Sequence, residues 1–178
     1  MTRLLVVSDS SSLILAAKAG ILGVLCGEFD VQIPRKVFEE TVVAGKRLQK
    51  ADAFRIEQAV EGKRISVKNM GLFPKGKKRD LVRALSLDAG EEEAIALCIQ
   101  AGADLLLADD RQAINAAKVL EIMWVTVPGI IVEFSRRKKM SRKEALEALK
   151  IVQVEGRYRL DFMLNAFNEI EKTGGEGK

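Results

Sequence analysis

The residues of this chain best suited to chemistry are carboxylates placed where predicted strands end or predicted helices begin. Asp9 follows the apolar run at residues 4–7 and Ser8, and Asp109 and Asp110 follow a second apolar run at residues 105–108. Parallel strands present their carboxyl ends to the same edge of a sheet, so we expect these aspartates to share one rim. Five further acids lie early in predicted helices: Glu39, Glu40, Glu91, Glu92 and Glu93.

Each of these acids also has a structural explanation. The aspartates can cap the helices that follow them by accepting backbone N–H hydrogen bonds. Glu91 lies three residues after Asp88 and fits a capping box, and Glu39 and Glu40 can be ordinary solvent-facing residues. Taken together, however, several carboxylates on one rim repel one another and resist ionisation. A divalent cation relieves that repulsion, so the set favours a metal site.

The residue types missing from the chain narrow its chemistry. It contains no histidine and two cysteines, which excludes Ser-His-Asp and Cys-His catalysis, His-ligated zinc and Cys-rich metal sites. Mg²⁺ and Mn²⁺ prefer oxygen ligands, and they activate water and stabilise phosphoryl transition states without histidine. The carboxylates therefore predict metal-assisted hydrolysis of a phosphodiester bond.

The basic residues are clustered, although the net charge of +4 and the pI near 9.1 are only mildly basic. Such runs are usually solvated surface, but an anionic substrate of an acidic site needs positive charge nearby. We therefore expect the run at residues 136–143 to lie beside the acidic rim and to contact phosphate. The two clusters are Lys75, Lys77, Lys78 and Arg79, and Arg136, Arg137, Lys138, Lys139, Arg142 and Lys143.

Predicted strands and helices alternate along the chain. Residues 4–7, 29–33, 64–68, 104–110 and 122–129 predict strands, and helical patterns separate them. This alternation predicts an α/β fold in which a parallel sheet lies between two helix layers. One amphipathic helix is expected over residues 47–62 and another over 87–103, while the Gly- and Lys-rich residues 69–81 predict a mobile loop.

The last third of the chain predicts helices only. We interpret residues 1–135 as one domain, residues 136–172 as a helical extension packed on it, and residues 173–178 as a flexible tail. A capping box at Ser141 and Glu144 begins one of these helices. Cys26 and Cys98 lie in helical patterns and are expected to be buried free thiols. No apolar run is long enough to cross a bilayer, so a cytoplasmic protein without a membrane partner is expected.

Four segments in the same order resemble the PIN-domain family of metal-dependent nucleases, in particular its VapC-like prokaryotic branch. They are "VSDSSSLI", "IPRKVFEE", "LDAGEEEAIALC" and "LLLADDRQA". The segment "SRRKKMSRKEALEAL" is similar to a helical C-terminal extension found in one archaeal and bacterial subgroup. The resemblance implies a three-layer α/β/α sandwich with a central sheet of about five parallel strands, commonly dimeric.

The resemblance also implies roles for individual residues. It makes Asp9, Glu91 and Asp110 the metal ligands and adds Glu40 and Ser10 to the catalytic set. Glu40 is favoured over Glu39 by its spacing from Val37. Asp110 is favoured over Asp109, but Ala108 stands where the family usually has threonine, so Asp109 stays a candidate, as does Glu93 behind Glu91. The basic residues assigned to nucleic-acid binding are Arg136, Arg137, Lys138 and Lys139.

The activity implied by the resemblance is endonucleolytic cleavage of RNA with Mg²⁺ or Mn²⁺, leaving 5′-phosphate and 3′-hydroxyl ends. Many relatives are toxins of type II toxin–antitoxin pairs, which implies a small antitoxin protein as a partner. The main alternative is a PIN-like nucleic-acid-binding or scaffold module without catalysis. An aspartyl phosphatase is disfavoured because Ser11 stands where its second acid would be, and a receiver domain because no lysine follows the last strand.

Overall fold

The protein is built around one sheet of five parallel strands. A computed structural model of the chain describes residues 3–70 and 76–172, with the backbone alone for residues 77–79. The spatial order of the strands is β3-β2-β1-β4-β5, and every neighbouring pair is parallel. The strands are β1 (Leu5–Ser8), β2 (Asp30–Pro34), β3 (Ile65–Lys68), β4 (Leu105–Leu107) and β5 (Trp124–Val125).

Helices cover both faces of the sheet. Val6 and Val7 of β1 point to opposite faces and are both fully buried, Val6 in one apolar cluster and Val7 in the other. Burial on both faces explains why β1 is a continuous apolar run and not an alternating one. The predicted three-layer α/β/α sandwich with about five parallel strands is confirmed.

Most helices lie on the face of Val6, and α6, α7 and α8 contribute the cluster of Val7. In chain order the helices are α1 (Ser10–Lys18), α2 (Leu22–Glu28), α3 (Arg35–Phe38), a π-helical segment (Glu39–Val43), α4 (Ala44–Arg47), α5 (Ala51–Glu61), α6 (Lys77–Ala84), α7 (Ala89–Ala101), α8 (Arg111–Val119), α9 (Val127–Arg136), α10 (Arg142–Glu155) and α11 (Leu160–Lys172).

The predicted helix caps are confirmed. Asp88 and Glu91 form a capping box at the start of α7, and Gly102 ends that helix in the left-handed conformation with φ of 62°. Ser141 and Glu144 form the predicted capping box of α10. Cys26 and Cys98 are buried and free, as expected.

Two predicted boundaries are wrong. The expected helix at residues 47–62 begins only at Ala51 (α5), because the chain leaves the helical conformation at Gln49, whose φ is 52°. The expected loop at residues 69–81 contains the start of α6 at Lys77. Val82 in α6 is 3% exposed and packs in the cluster of α7, so tertiary burial outweighs the polar local composition. Residues 71–75 of that loop, and the tail at 173–178, lie outside the described residues.

The C-terminal helices share the core of the sheet domain. Leu149 and Val152 of α10 and Met163 and Ile170 of α11 are buried in the same cluster as Phe134 of α9. Of the described helices, no single one is long and apolar enough to cross a membrane; α1 and α2 reach the required length and composition only as a pair bent by 116°.

Candidate active site

The candidate site lies at the point of the sheet where successive strands stop being added on one side of β1 and begin to be added on the other side. From β1 the chain adds β2 and β3 on one side, and β4 and β5 lie on the other side. Ligands of open α/β sheets bind outside the carboxyl ends of the strands at such a switch point. Asp9 follows β1 and Asp109 and Asp110 follow β4, and the Asp9 N–H donates to the Leu107 carbonyl at 3.2 Å. The expectation that these aspartates share one rim is therefore met.

Asp9 caps α1 and keeps one carboxylate oxygen free. Its Oδ1 accepts hydrogen bonds from the Ser12 N–H at 2.8 Å and the Ser11 hydroxyl at 3.2 Å, while Oδ2 is buried and has no partner among the described residues. Only 1% of Asp9 is exposed. Burial raises the pKa of Asp9 to about 6, and the charge of Asp109 contributes in the same direction. The capping role is thus real, but it does not use the whole side chain.

Asp109 has the same arrangement as Asp9. Its Oδ1 accepts the Val127 N–H at 2.8 Å and the Tyr158 hydroxyl, and its Oδ2 is buried without a partner in the described part of the chain. Burial raises the pKa of Asp109, although the Tyr158 hydrogen bond acts in the opposite direction. The Ser12 hydroxyl lies near both aspartates and lowers the pKa of each, although it forms no hydrogen bond of normal length and angle within the described residues.

Glu91 and Asp110 form a second pair of acids beside the first. Glu91 accepts the Asp88 N–H at 3.1 Å in the capping box, and only 7% of it is exposed. Burial raises the pKa of Glu91 to about 7, and the charges of Asp88 and Asp110 add to the rise. Asp110 is exposed and caps α8 by accepting the Gln112 N–H at 2.6 Å. Both residues therefore fulfil the capping roles that the sequence allowed.

Ser10 and Glu40 form a third pair. The Ser10 hydroxyl donates to Glu40 Oε2 at 2.5 Å, and Lys36 Nζ lies 3.7 Å from Glu40 Oε1. A Cβ atom at Gly90 would lie 2.4 Å from Glu40 Oε2, so the missing side chain of Gly90 makes room for this carboxylate at the start of α7. Glu39, by contrast, is exposed and pairs with Arg35.

The π-helical segment Glu39–Val43 carries Glu40, and sequence reasoning did not predict it. Inside it the Thr41 hydroxyl donates to the Val37 carbonyl at 2.7 Å. Segments of this kind change the direction of side chains within a helix and are frequent at functional sites. Glu93, the alternative to Glu91, instead accepts the Lys36 N–H at 3.1 Å and so satisfies the start of α3.

The basic run at residues 136–143 does not lie beside the acidic rim, so that expectation is wrong. Helix α9 begins next to Asp109 and runs away from it for ten residues, which is about 15 Å. At its far end Arg136 and Arg137 pair with Glu133, and Lys139 Nζ lies 3.0 Å from Glu28 Oε1. Glu28 precedes β2, so the run lies at the opposite edge of the sheet.

The acids fit a hard cation in donor chemistry, although they do not form a closed cage. Among residues 3–70 and 76–172 no three His, Cys, Asp or Glu side chains converge closely enough to hold a metal ion. Magnesium, however, is commonly bound through one or two carboxylates and retains several waters. The buried, unpartnered Oδ2 atoms of Asp9 and Asp109 are the two carboxylate oxygens that such a site needs.

Tyr158 is the residue at this site that sequence reasoning missed. It lies in the connection between α10 and α11, and its ring is stacked on Phe162 with centroids 5.7 Å apart. Burial and the Asp109 charge raise the pKa of Tyr158, so its hydroxyl stays a donor. The one available signal is that it is the only tyrosine of the chain.

A comparison with protein families agrees with this geometry. The family model DUF3368, described as a PIN domain, matches residues 5–169, which include every acid discussed above, helices α9 and α10 and most of α11. No curated protein matches the chain. PIN domains are in general nucleases and typically use divalent metal ions. The chain belongs to the PIN domain family.

Proposed function

We propose that this protein is a metal-dependent endoribonuclease that uses Mg²⁺ or Mn²⁺. The observation that carries the proposal is the pair of buried, unpartnered oxygens of Asp9 and Asp109 at the switch point of the sheet. Two buried carboxylates side by side are costly unless a cation or protons neutralise them. The raised pKa of both groups is a sign of that cost.

The other acids have distinct roles in the proposed reaction. When bound, the cation supplies positive charge that stabilises the phosphoryl transition state and polarises the attacking water. Asp9 and Asp109 would hold it, and Asp110 and Glu91 are the neighbouring pair of acids. Glu91, whose pKa is raised to about 7, is suited to accept a proton from water near neutral pH.

The Ser10 and Glu40 pair is placed to orient water or substrate. The hydrogen bond between the Ser10 hydroxyl and Glu40 joins the start of α1 to the π-helical segment. Glu40 itself lies against Gly90 at the start of α7. Ser10 directly follows Asp9 in the chain, and Gly90, against which Glu40 lies, directly precedes Glu91. The Ser10 and Glu40 pair is therefore close to both acids.

The proposed RNA products, family branch, biological role and partner are based on the resemblance of the sequence to the PIN-domain family. We propose hydrolysis of RNA to 5′-phosphate and 3′-hydroxyl ends by a member of the VapC-like branch with a helical C-terminal extension. We further propose that it is the toxin of a type II pair, cytoplasmic, homodimeric and held by a small antitoxin. The four motifs in family order support these assignments.

The decisive experiment is cleavage of an unstructured single-stranded RNA with Mg²⁺, Mn²⁺ or EDTA. We expect the wild-type protein to cleave only with a metal ion, and Asp9→Asn to lose at least 100-fold in rate. Asp104→Asn is the matched control, because Asp104 also accepts a backbone N–H, from Leu5 at 2.7 Å, but lies at the other edge of the sheet. Equal cleavage by wild type and Asp9→Asn would refute the proposal.

The alternative is a PIN-like module that binds nucleic acid without cleaving it. The lack of a cluster of three acids in the described ranges 3–70 and 76–172 favours this reading. It predicts RNA binding with no metal-dependent products at any Mg²⁺ or Mn²⁺ concentration. The same cleavage assay therefore distinguishes the two candidates.

A further inference from the structure

A cavity of about 380 Å³ opens beside the acidic rim, and the proposed hydrolysis leaves it without a role. It lies between α1 and the connection from α10 to α11, and Asp109 and Asp110 form part of its lining. Its volume is within the range of small-molecule sites. The C-terminal helices therefore do more than cover the sheet, because they form one wall of a cavity that adjoins the candidate active site.

The wall of this cavity contains an aliphatic side and an aromatic side, together with charged residues. Ile14 and Leu15 of α1 line one side, and Tyr158 lines the other. The Tyr158 ring is fixed by its stacking on Phe162 and by the hydrogen bond of its hydroxyl to Asp109. A rigid aromatic ring opposite aliphatic side chains is the kind of surface on which a nucleobase stacks.

The cavity is lined by both cationic and anionic side chains, so it favours binding of a phosphate group only near the cations. Lys18 Nζ is engaged with Glu155 Oε2 at 2.6 Å. Arg157 also lines the cavity, is exposed, and has no ion pair within the described part of the chain. Asp109 and Asp110 oppose it, so a free phosphate alone gains little. The best occupant combines a flat, weakly polar ring with one phosphate group close to Arg157.

We propose that this cavity binds one nucleotide of single-stranded RNA, with its base against Tyr158 and Ile14 and its phosphate at Arg157. The cavity adjoins Asp109, so this nucleotide is the one next to the scissile phosphodiester; that placement rests on the proposed function. The C-terminal extension then contributes to substrate binding, and loss of its cavity residues weakens binding without removing a metal ligand.

Nucleoside 5′-monophosphates test the cavity separately from catalysis, because they contain no phosphodiester bond to cleave. We would titrate UMP and AMP, with ribose 5-phosphate and inorganic phosphate as controls, into the wild-type protein with Mg²⁺ by calorimetry. Arg157→Ala is expected to weaken nucleotide binding about tenfold. Arg159→Ala, whose side chain is 86% exposed and pairs with Asp161 away from the cavity, is the matched control.

Protein labelled on both tyrosine and tryptophan provides a second readout. Because Tyr158 is the only tyrosine and Trp124 the only tryptophan, the Tyr158 ring Cζ and the Trp124 indole N–H each give one NMR signal, and Trp124 is the control away from the cavity. UMP is expected to shift the Tyr158 signal and to leave the Trp124 signal in place. This measurement needs no substitution in the cavity, so a variant that folds poorly does not affect it.

The outcomes separate this inference from the proposed function. Ribose 5-phosphate binding as tightly as UMP, an unmoved Tyr158 signal, or equal affinities of Arg157→Ala and Arg159→Ala would overturn the cavity site while RNA cleavage stands. If UMP binds in an Arg157-dependent way but RNA is not cleaved, the nuclease proposal fails and the nucleotide cavity is upheld.

Discussion

The Tyr158 hydroxyl donates a hydrogen bond to Oδ1 of Asp109, across 49 positions of the chain. The same oxygen accepts the Val127 N–H, so both of its directions are occupied and Oδ2 is left as the only free oxygen of this carboxylate. The C-terminal extension thereby determines which oxygen of Asp109 is available to a ligand. Partners of this kind position metal ligands and tune their affinity.

Tyr158→Phe is expected to weaken Mn²⁺ binding about tenfold and to lower the free energy of unfolding by about 2 kcal/mol. The substitution removes a donor from a buried carboxylate but keeps the aromatic ring. Mn²⁺ titration by calorimetry and urea denaturation measure the two effects. Phe162→Leu is the control, because it disturbs the stacking and keeps the hydroxyl; equal Mn²⁺ affinities of the two variants would contradict the positioning role.

Gly90→Ala is expected to lower the rate of RNA cleavage at least tenfold with little change in stability. The new Cβ would lie 2.4 Å from Glu40 Oε2 and 3.0 Å from the Ser10 hydroxyl, so the half-buried Glu40 must turn away. The helix preference for alanine, worth about 1 kcal/mol, offsets the lost hydrogen bond.

Gly23→Ala in α2 is the matched control for Gly90→Ala, because among the described residues no atom beyond its chain neighbours and its own helix backbone lies within 4 Å of the added Cβ. It is expected to leave the cleavage rate unchanged and to raise stability slightly. Cleavage rates and thermal unfolding of both variants check the prediction. A Gly90→Ala protein with the wild-type rate would show that the position of Glu40 has no part in the reaction.

Stability of the metal-free protein is expected to fall as pH rises from 5 to 8. The folded-state pKa of Asp9 is raised to about 6 and that of Glu91 to about 7, so the folded state binds protons that the unfolded state releases. Their stabilising contribution is complete below the ordinary carboxyl pKa near 4 and is lost as pH rises through 6 to 7. For the almost fully buried Asp9 the loss is about 3 kcal/mol.

Urea denaturation in EDTA at pH 5 and pH 8 measures this dependence. Asp9→Asn is expected to flatten it, and Mg²⁺ or Mn²⁺ is expected to restore stability at pH 8, because a cation replaces the protons. A metal-free wild-type protein that is more stable at pH 8 than at pH 5, with Asp9→Asn showing the same slope, would contradict the buried acid pair.

Given their position in the structure, residues 136–139 are expected to contribute to binding of a long RNA but not to binding of a short one. These residues lie at the opposite edge of the sheet from the acids, so a short RNA held at the acidic rim does not reach them. Lys138→Glu is expected to leave binding of a six-nucleotide RNA unchanged. With a long RNA it should reduce the slope of log affinity against log salt by about 0.7 for each lost phosphate contact.

Fluorescence anisotropy over a range of salt concentrations separates these cases. Lys138 is exposed, and no ion pair involves it in the described part of the chain, so its reversal does not break a structural contact. Unchanged slopes with both RNAs would leave residues 136–139 as ordinary surface.

The elements of the fold were predictable because each is a local pattern. The continuous apolar runs of β1 and β4 mark strands buried on both faces, and the capping boxes at Asp88 and Ser141 mark helix starts. The start of α6 was not predictable from its own residues, because burial of Val82 against α7 is a tertiary contact. The break in the helical conformation at Gln49 was missed for a different reason: the left-handed conformation that ends helices is usually adopted by glycine, and here a glutamine adopts it.

The sequence allowed the types of residue at the candidate site to be predicted, but not which side chains contact one another. The strand ends predicted that Asp9, Asp109 and Asp110 share one rim, and the family resemblance added Glu40 and Glu91. The structure places Asp9, Glu40 and Glu91 at or near the starts of neighbouring helices. The contacts that arrange them join distant positions: Ser10 with Glu40, Gly90 with Glu40, and Tyr158 with Asp109. No local pattern encodes such pairs, since each depends on how whole helices pack.

The choice between Asp109 and Asp110 is the sharpest test of that pairing. The family resemblance favours Asp110, whereas the structure gives Asp109 the buried, unpartnered oxygen beside Asp9 and makes Asp110 an exposed helix cap. Asp109→Asn is therefore expected to weaken Mn²⁺ binding more than tenfold. Asp110→Asn is expected to change it less than threefold and to retain stability, because asparagine caps helices as well as aspartate does.

Calorimetric Mn²⁺ titration of the two variants, with urea denaturation of each, decides between these aspartates. Asp109→Asn also removes one of two adjacent buried charges, so the metal-free variant should be at least as stable as wild type at pH 8. If Asp110→Asn instead loses the metal while Asp109→Asn keeps it, then Glu91 and Asp110 form the binding pair. The buried pair of Asp9 and Asp109 would in that case serve to fix the ends of β1 and β4.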